Sequence, residues 1–115
     1  MFDGLKNLAN LPTLLAKARE MQEKMTALRE ELGRKTVESD AGGGMVTATV
    51  NGRLEVVRIR IDKGKVDVND TEMLEDLIVA AIAAAQRRAS EMIQAEMSKA
   101  AGDLGIPPGM LPPTT

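Results

Sequence analysis

The feature that most constrains this chain is a β-hairpin set between two helical runs that are each too long for it. Residues Met45 to Asp62 read as strand, turn, strand, because apolar and polar residues alternate on either side of Asn51-Gly52. A strand of eight or nine residues spans roughly 28 Å. The flanking runs, about 21 and 32 residues, would extend roughly 31 and 48 Å as helices. Their apolar seams must overhang the sheet, and each Å² left in water forgoes roughly 25 cal/mol. A second copy covers such seams most simply. The expected fold is therefore α+β. A long helix, a three-stranded antiparallel sheet and a long helix (α-β-β-β-α) form an intertwined homodimer with projecting helical arms.

The first helical run carries Leu11, Leu14, Ala18, Met21, Met25, Leu28 and Leu32, spaced alternately three and four apart. That spacing is a heptad seam. Pro12 suits a first turn, and Gly33 stands where a C-cap is expected. Lys35 to Asp40 reads as a weak strand, and Ala41-Gly42-Gly43-Gly44 turns the chain. Asn51-Gly52 is the pair preferred in a two-residue type I′ turn. That turn would set Thr49 against Leu54, Ala48 against Glu55, Thr47 against Val56 and Val46 against Val57. One face then holds Val46, Ala48, Val50, Val57, Ile59 and Ile61, taken as the core side. The other holds Met45, Thr47, Thr49, Leu54, Val56, Arg58 and Arg60.

Asn69 is expected to cap the last helix, with Glu72 reaching back. That helix runs unbroken to about residue 101, and from Leu74 to Ala85 it is apolar nearly all round. Such a segment is buried against a sheet or a twin helix. Val46, Val57, Ile59, Leu74, Leu77 and Ile78 are thus the candidates for the dimer interface. Residues 1–10 are expected to form a flexible lead-in, 11–101 a single domain, and 102–115 a Pro/Gly-rich tail.

Composition narrows the function. The chain has no Cys and its composition includes no His, so thiolate metal sites and His-based catalysis are excluded. Phe2 is its one aromatic residue, which leaves no platform for stacking single-stranded bases. Ser39, Ser90 and Ser98 have no base to activate them. The glycine run lacks the following Lys-Ser/Thr of a phosphate loop. The acids Asp67, Asp70, Glu72, Glu75 and Asp76 lack calcium-loop spacing. No metal, cofactor or small-molecule substrate is expected. The longest apolar run, Leu77 to Ala85, is nine residues, against the roughly 20 needed to span a membrane. Cytoplasmic residence is the default expectation.

Net charge is −2, but it is unevenly spread. Residues 1–35 carry seven basic and five acidic side chains, whereas residues 66–115 carry three and eight. Binding to a polyanion must therefore work through local patches. Lys17, Arg19, Lys24 and Arg29 on the first helix, and Arg87, Arg88 and Lys99 on the last, are the candidates. Those on the first helix read either as phosphate contacts or as the solvated flank of a coiled coil with glutamate partners, and those on the last either as phosphate contacts edging a cleft or as ordinary surface charge. Arg58 and Arg60 alternate on one strand face and read either as a better-defined basic pair for the polyanion or as salt-bridge partners of acids such as Glu55 or of a neighbouring helix.

Several segments in this order resemble the YbaB/EbfC family of bacterial nucleoid-associated proteins. They are Met21-Gln22-Glu23-Lys24-Met25, Ala41-Gly42-Gly43-Gly44-Met45-Val46, Val50-Asn51-Gly52, Ile59-Arg60-Ile61-Asp62, Asp70 through Ile78, and Ile106 through Pro112. The resemblance implies a homodimer with tweezer-like arms that binds double-stranded DNA in the nucleoid and catalyses nothing. The chain departs from the family at Leu11-Pro12-Thr13-Leu14-Leu15 and in its Pro112-Pro113-Thr114-Thr115 close. Two readings follow. One is a sequence-tolerant duplex binder that organises the chromosome and tunes gene expression. The other is a protein-interaction module whose Met-rich arms hold a partner, with incidental DNA affinity.

Overall fold

The computed structural model describes residues 9–105, and it has the expected α-β-β-β-α order. Helix α1 spans Leu11–Arg34. Strands β1 (Thr36–Ala41), β2 (Val46–Asn51) and β3 (Val56–Ile61) form one antiparallel sheet in the order β1-β2-β3. Helix α2 spans Thr71–Leu104. The molecule measures 76 × 21 × 20 Å, so the helices do outrun the sheet. The expectations for residues 1–8 and 106–115 lie outside the described residues. Asn10, placed in the lead-in, already accepts the Leu14 amide through its carbonyl at 3.0 Å. Residues 102–104, placed in the tail, continue α2.

Helix α2 packs along β1 and β2 and barely reaches β3. Its buried residues are Ala81, Ala85, Ala89, Ile93, Met97 and Ala101, each four on from the last. Three small alanines let the helix sit close on Val46, Ala48 and Val50, which are wholly buried. A four-residue step overshoots one turn by about 40°. The buried stripe therefore winds around the helix, facing the sheet first and α1 later. Leu32, Ile93 and Met97 form that second contact, joined by Met25 and Leu28. Lys35 secures it through an ion pair to Glu96 at 3.0 Å.

Several local features differ from expectation. The Asn51-Gly52 pair does not make a two-residue turn, because neither residue has positive φ. The loop holds three residues, Gly52 to Leu54, and Leu54 takes the left-handed place at φ 64°. That is the three-residue hairpin, a type I turn closed by one left-handed residue. Asn51 builds it from its side chain, its Oδ1 accepting the amides of Arg53 (2.9 Å) and Glu55 (3.1 Å). The register shifts accordingly, with Val46 opposite Ile61 and Ala48 opposite Ile59. Relative to the predicted pairing the shift is even, so Ile59 and Ile61 stay on the core side. The pairing then slips between Thr49 and Val50, leaving Val57 as a bulge residue that is 52% exposed. Leu54 moves too: it packs at the junction of the two apolar clusters rather than on the outer face.

Gly33 is not the C-cap of α1. The helix continues to Arg34, and Lys35 leaves it in extended conformation. At the start of α2, Asp70 rather than Asn69 is the cap, its Oδ1 accepting the Met73 amide at 3.2 Å. The glycine turn is as expected, with Gly42, Gly43 and Gly44 all at positive φ.

Gly52 matters for another reason. Its amide donates to the carbonyls of Leu32 (3.0 Å) and Lys35 (3.1 Å), docking the hairpin tip onto the end of α1. A Cβ there would meet the backbone oxygen of Leu32 at 2.1 Å. Gly52→Ala should therefore cost about 1–3 kcal/mol, the usual penalty for overpacking a tight site. Urea unfolding followed by circular dichroism would measure it, with Gly43→Ala, where a Cβ meets nothing but φ is 66°, as a comparison for pure backbone strain.

Candidate nucleic-acid interface

The α1 seam is graded along its length. Leu32 is 4% exposed, Met25 and Leu28 are half-buried, and Met21, Leu14 and Leu11 are open at 39%, 55% and 46%. The gradient has a geometric cause. Helix α2 covers the α1 stretch nearest the sheet, where Met25, Leu28 and Ala100 line one hollow of about 330 Å³. Beyond that hollow no other described element packs on α1. Its distal half is an arm with an apolar seam and charged flanks.

All seven cations expected to contact DNA are exposed. They do not converge on one patch. Lys17 and Lys24, seven apart, share one stripe of α1, whereas Arg19 and Arg29 lie on other sides of it. Lys24 is paired with Glu20 at 3.0 Å, the i,i+4 arrangement of the coiled-coil-flank reading. Among the described residues Lys17, Arg19, Arg29, Arg87 and Lys99 have no ion pair. Arg88 has a structural task. It donates to the backbone carbonyl of Glu38, on the edge strand β1, across 50 residues of sequence. An unpaired edge carbonyl thereby gains a partner.

Of the residues expected at the dimer interface, Val46 has no surface left: it is 0% exposed within its own chain. Leu74, Leu77, Ile78 and Ile59 are half-buried against the chain's own core. Val57 is open. The residue missed by sequence is Val79, 67% exposed, the most exposed large apolar side chain among the described residues. The signal was present in the all-round apolar character of α2 from Leu74 to Ala85: a helix can lay only one side on a sheet. Val79 and Ile82 occupy the α2 flank on the side where Gln86 reaches the Leu54 carbonyl. With the partly covered inner side of β3, they outline an apolar corner.

Arg58 and Arg60 differ from expectation. Neither forms an ion pair with Glu55, with a helix, or with any other described residue. Among the described residues no group of acids is arranged to hold a metal, and no helix is long and apolar enough to cross a membrane.

A helix-on-sheet α+β unit with a projecting arm and exposed cationic flanks has the surface features of a binding protein. The profile of the YbaB/EbfC DNA-binding family matches residues 6–104, and the chain belongs to that family. It is 50% identical over 98 residues to a nucleoid-associated protein of Thermoanaerobacter pseudethanolicus, covering 85% of this chain and 88% of that one. A nucleoid-associated protein of Acetivibrio thermocellus is 48% identical over 101 residues, covering 88% and 89%. In structure, the chain is similar to an uncharacterized protein of Helicobacter pylori (TM-score 0.53, 26% identity, 64% of this chain and 86% of that one).

The two classes of arginine separate experimentally. Arg88→Ala should lower stability by about 1 kcal/mol, the net value of a typical hydrogen bond. Arg87→Ala, on the neighbouring open position, should leave the urea midpoint unchanged.

Proposed function

We propose that the protein binds double-stranded DNA in the nucleoid as a homodimer, with little sequence specificity, and tunes gene expression through that binding. The observation that carries the reading is the projecting distal half of α1. It presents Lys17 and Arg19 to solvent, unpaired, at the end of an elongated molecule whose family is described by DNA binding. Lys24, Arg29, Arg87 and Lys99 extend the cationic set toward the body of the molecule. The mechanism is electrostatic: each Lys or Arg that meets a phosphate releases condensed counterions. Acidic side chains interleave with the basic ones on every face, so no helix offers a base-reading surface. Discrimination then falls to duplex shape.

The second copy is argued from the apolar corner. Val57 and Val79 are exposed and Ile82 is half-buried beside an inner β3 face that α2 covers only in part. Contact there, with Ile59, Leu74, Leu77 and Ile78 behind it, would join two bodies while four arm-like helices stay free to straddle a duplex. A competing reading makes the arm seam of Leu11, Leu14, Leu15 and Met21 a dock for another protein, since those four side chains are open.

Two measurements test this. Filter retention of a random duplex should fall steeply between about 50 and 200 mM salt, and Lys17→Ala with Lys24→Ala should lower the salt slope by about one per lost phosphate contact. Retention that ignores both salt and these substitutions would favour the protein-docking reading. Val79→Asp should convert the dimer to single-chain mass by light scattering; a variant that keeps the parental mass would move the interface elsewhere.

A further inference from the structure

The outer side of the sheet, turned away from α2, carries an ordered charge pattern. Strand pairing places Glu38 opposite Thr49 and Thr49 opposite Arg58. The next row places Asp40 opposite Thr47 and Thr47 opposite Arg60. Each row therefore runs acid, threonine, arginine across the three strands. Seen along the strands, β1 is an acidic column, β2 a neutral one and β3 a basic one. All four charged side chains are exposed, and none has an ion pair among the described residues. Acid and arginine in one row are held two strands apart, roughly 10 Å between backbones. Thr49 donates to Glu38 Oε1 at 3.4 Å, which holds one acid on its own side of the row. Asp40, Thr47, Arg60 and Arg88 border one hollow of about 460 Å³, open to solvent.

This pattern is complementary to itself in one orientation. Lay two copies outer face to outer face about a two-fold axis parallel to the strands. One copy's β1 then lies over the other's β3, so Glu38 meets Arg58 and Asp40 meets Arg60, four opposite-charge encounters in all. A two-fold axis across the strands would instead stack acid on acid. A duplex on this face would satisfy the arginines but force its phosphates against Glu38 and Asp40. A second copy satisfies both columns.

We infer that the outer sheet face is a contact between copies of this chain, separate from the apolar corner, that links dimers into larger assemblies. Three strands about 4.8 Å apart and six residues of about 3.3 Å rise give a face of roughly 14 by 20 Å. That is well below the roughly 800 Å² per partner of a stable interface. The contact is therefore weak and salt-sensitive in free solution. It gains when several dimers sit on one duplex, which raises their effective concentration.

Charge exchange tests it on the full-length protein without DNA, so that its failure leaves the DNA reading untouched. One variant carries Arg58→Glu and Arg60→Glu, making the face uniformly acidic. The other carries Glu38→Arg and Asp40→Arg, making it uniformly basic. Sedimentation velocity would be run at high protein concentration in about 50 mM and about 500 mM salt, conditions that differ severalfold in screening length. The wild type should show a larger species in low salt that high salt dissolves, leaving the basal particle. Each variant alone should lack it, and an equal mixture of the two should restore it. Circular dichroism confirms that both variants fold; a misfolded one is replaced by the corresponding single reversal, Arg60→Glu or Asp40→Arg. A wild type with no salt-sensitive species, variants that assemble like it, or a mixture that does not recover would overturn the inference. So would a duplex-retention loss in Arg58→Glu/Arg60→Glu with assembly unchanged, which would assign the face to DNA.

Discussion

The arrangement depends on the approach of two backbones, the end of α1 and the tip of the β2–β3 hairpin. The Gly52 amide reaches the Leu32 and Lys35 carbonyls only because no side chain stands between them. The Leu32 carbonyl at the helix end accepts the Lys35 amide of its own chain end, and the hairpin amide adds a second donor to it. The bond joins residues 20 apart in sequence and sets where α1 leaves the sheet. Leu32 is thereby held on Ile93 and Met97, and the rest of α1 is aimed along the far half of α2. The arm's direction follows from that docking.

Element order, the core face of β2 and helix overhang are legible in sequence because each rests on periodicity. The seam from Leu11 to Leu32 announces a helix whatever it touches. The alternation of Val46, Ala48 and Val50 announces a face whatever its register. What periodicity could not carry was the hairpin loop. Asn51-Gly52 is a strong local signal for a tight turn, but both residues are used differently, Asn51 as a side-chain scaffold and Gly52 as a gap for another backbone. The left-handed position fell to Leu54, a residue type with no preference for it, because its side chain fills the junction of two apolar clusters. Tertiary packing overrode turn chemistry.

The candidate site was legible to a lesser degree. Sequence identified which cations exist but not which are engaged. Arg87 and Arg88 are indistinguishable by neighbourhood in the chain, yet one is open and the other is bonded to a strand edge 50 residues away. Val46 reads as an interface residue in sequence because strand patterning cannot tell a face covered by the chain's own helix from one awaiting a partner. Conversely, Val79 passed unnoticed inside a run of apolar neighbours. The opposition of an acidic β1 column and a basic β3 column depends on the register of three strands, which no single segment of sequence carries.

The winding of the buried stripe on α2 has a consequence for how such molecules can vary. From Ala81 to Ala101 the contact face rotates by about 200°, five steps of about 40° each. Sheet and neighbouring helix thus read different phases of one continuous screw. Inserting a single residue midway would swing everything beyond it by about 100°, turning Ile93 and Met97 toward solvent. Lengthening at the far terminus would disturb neither phase. Descendants of this chain can change their reach by growth at the extremity, while the pitch between body and limb stays locked.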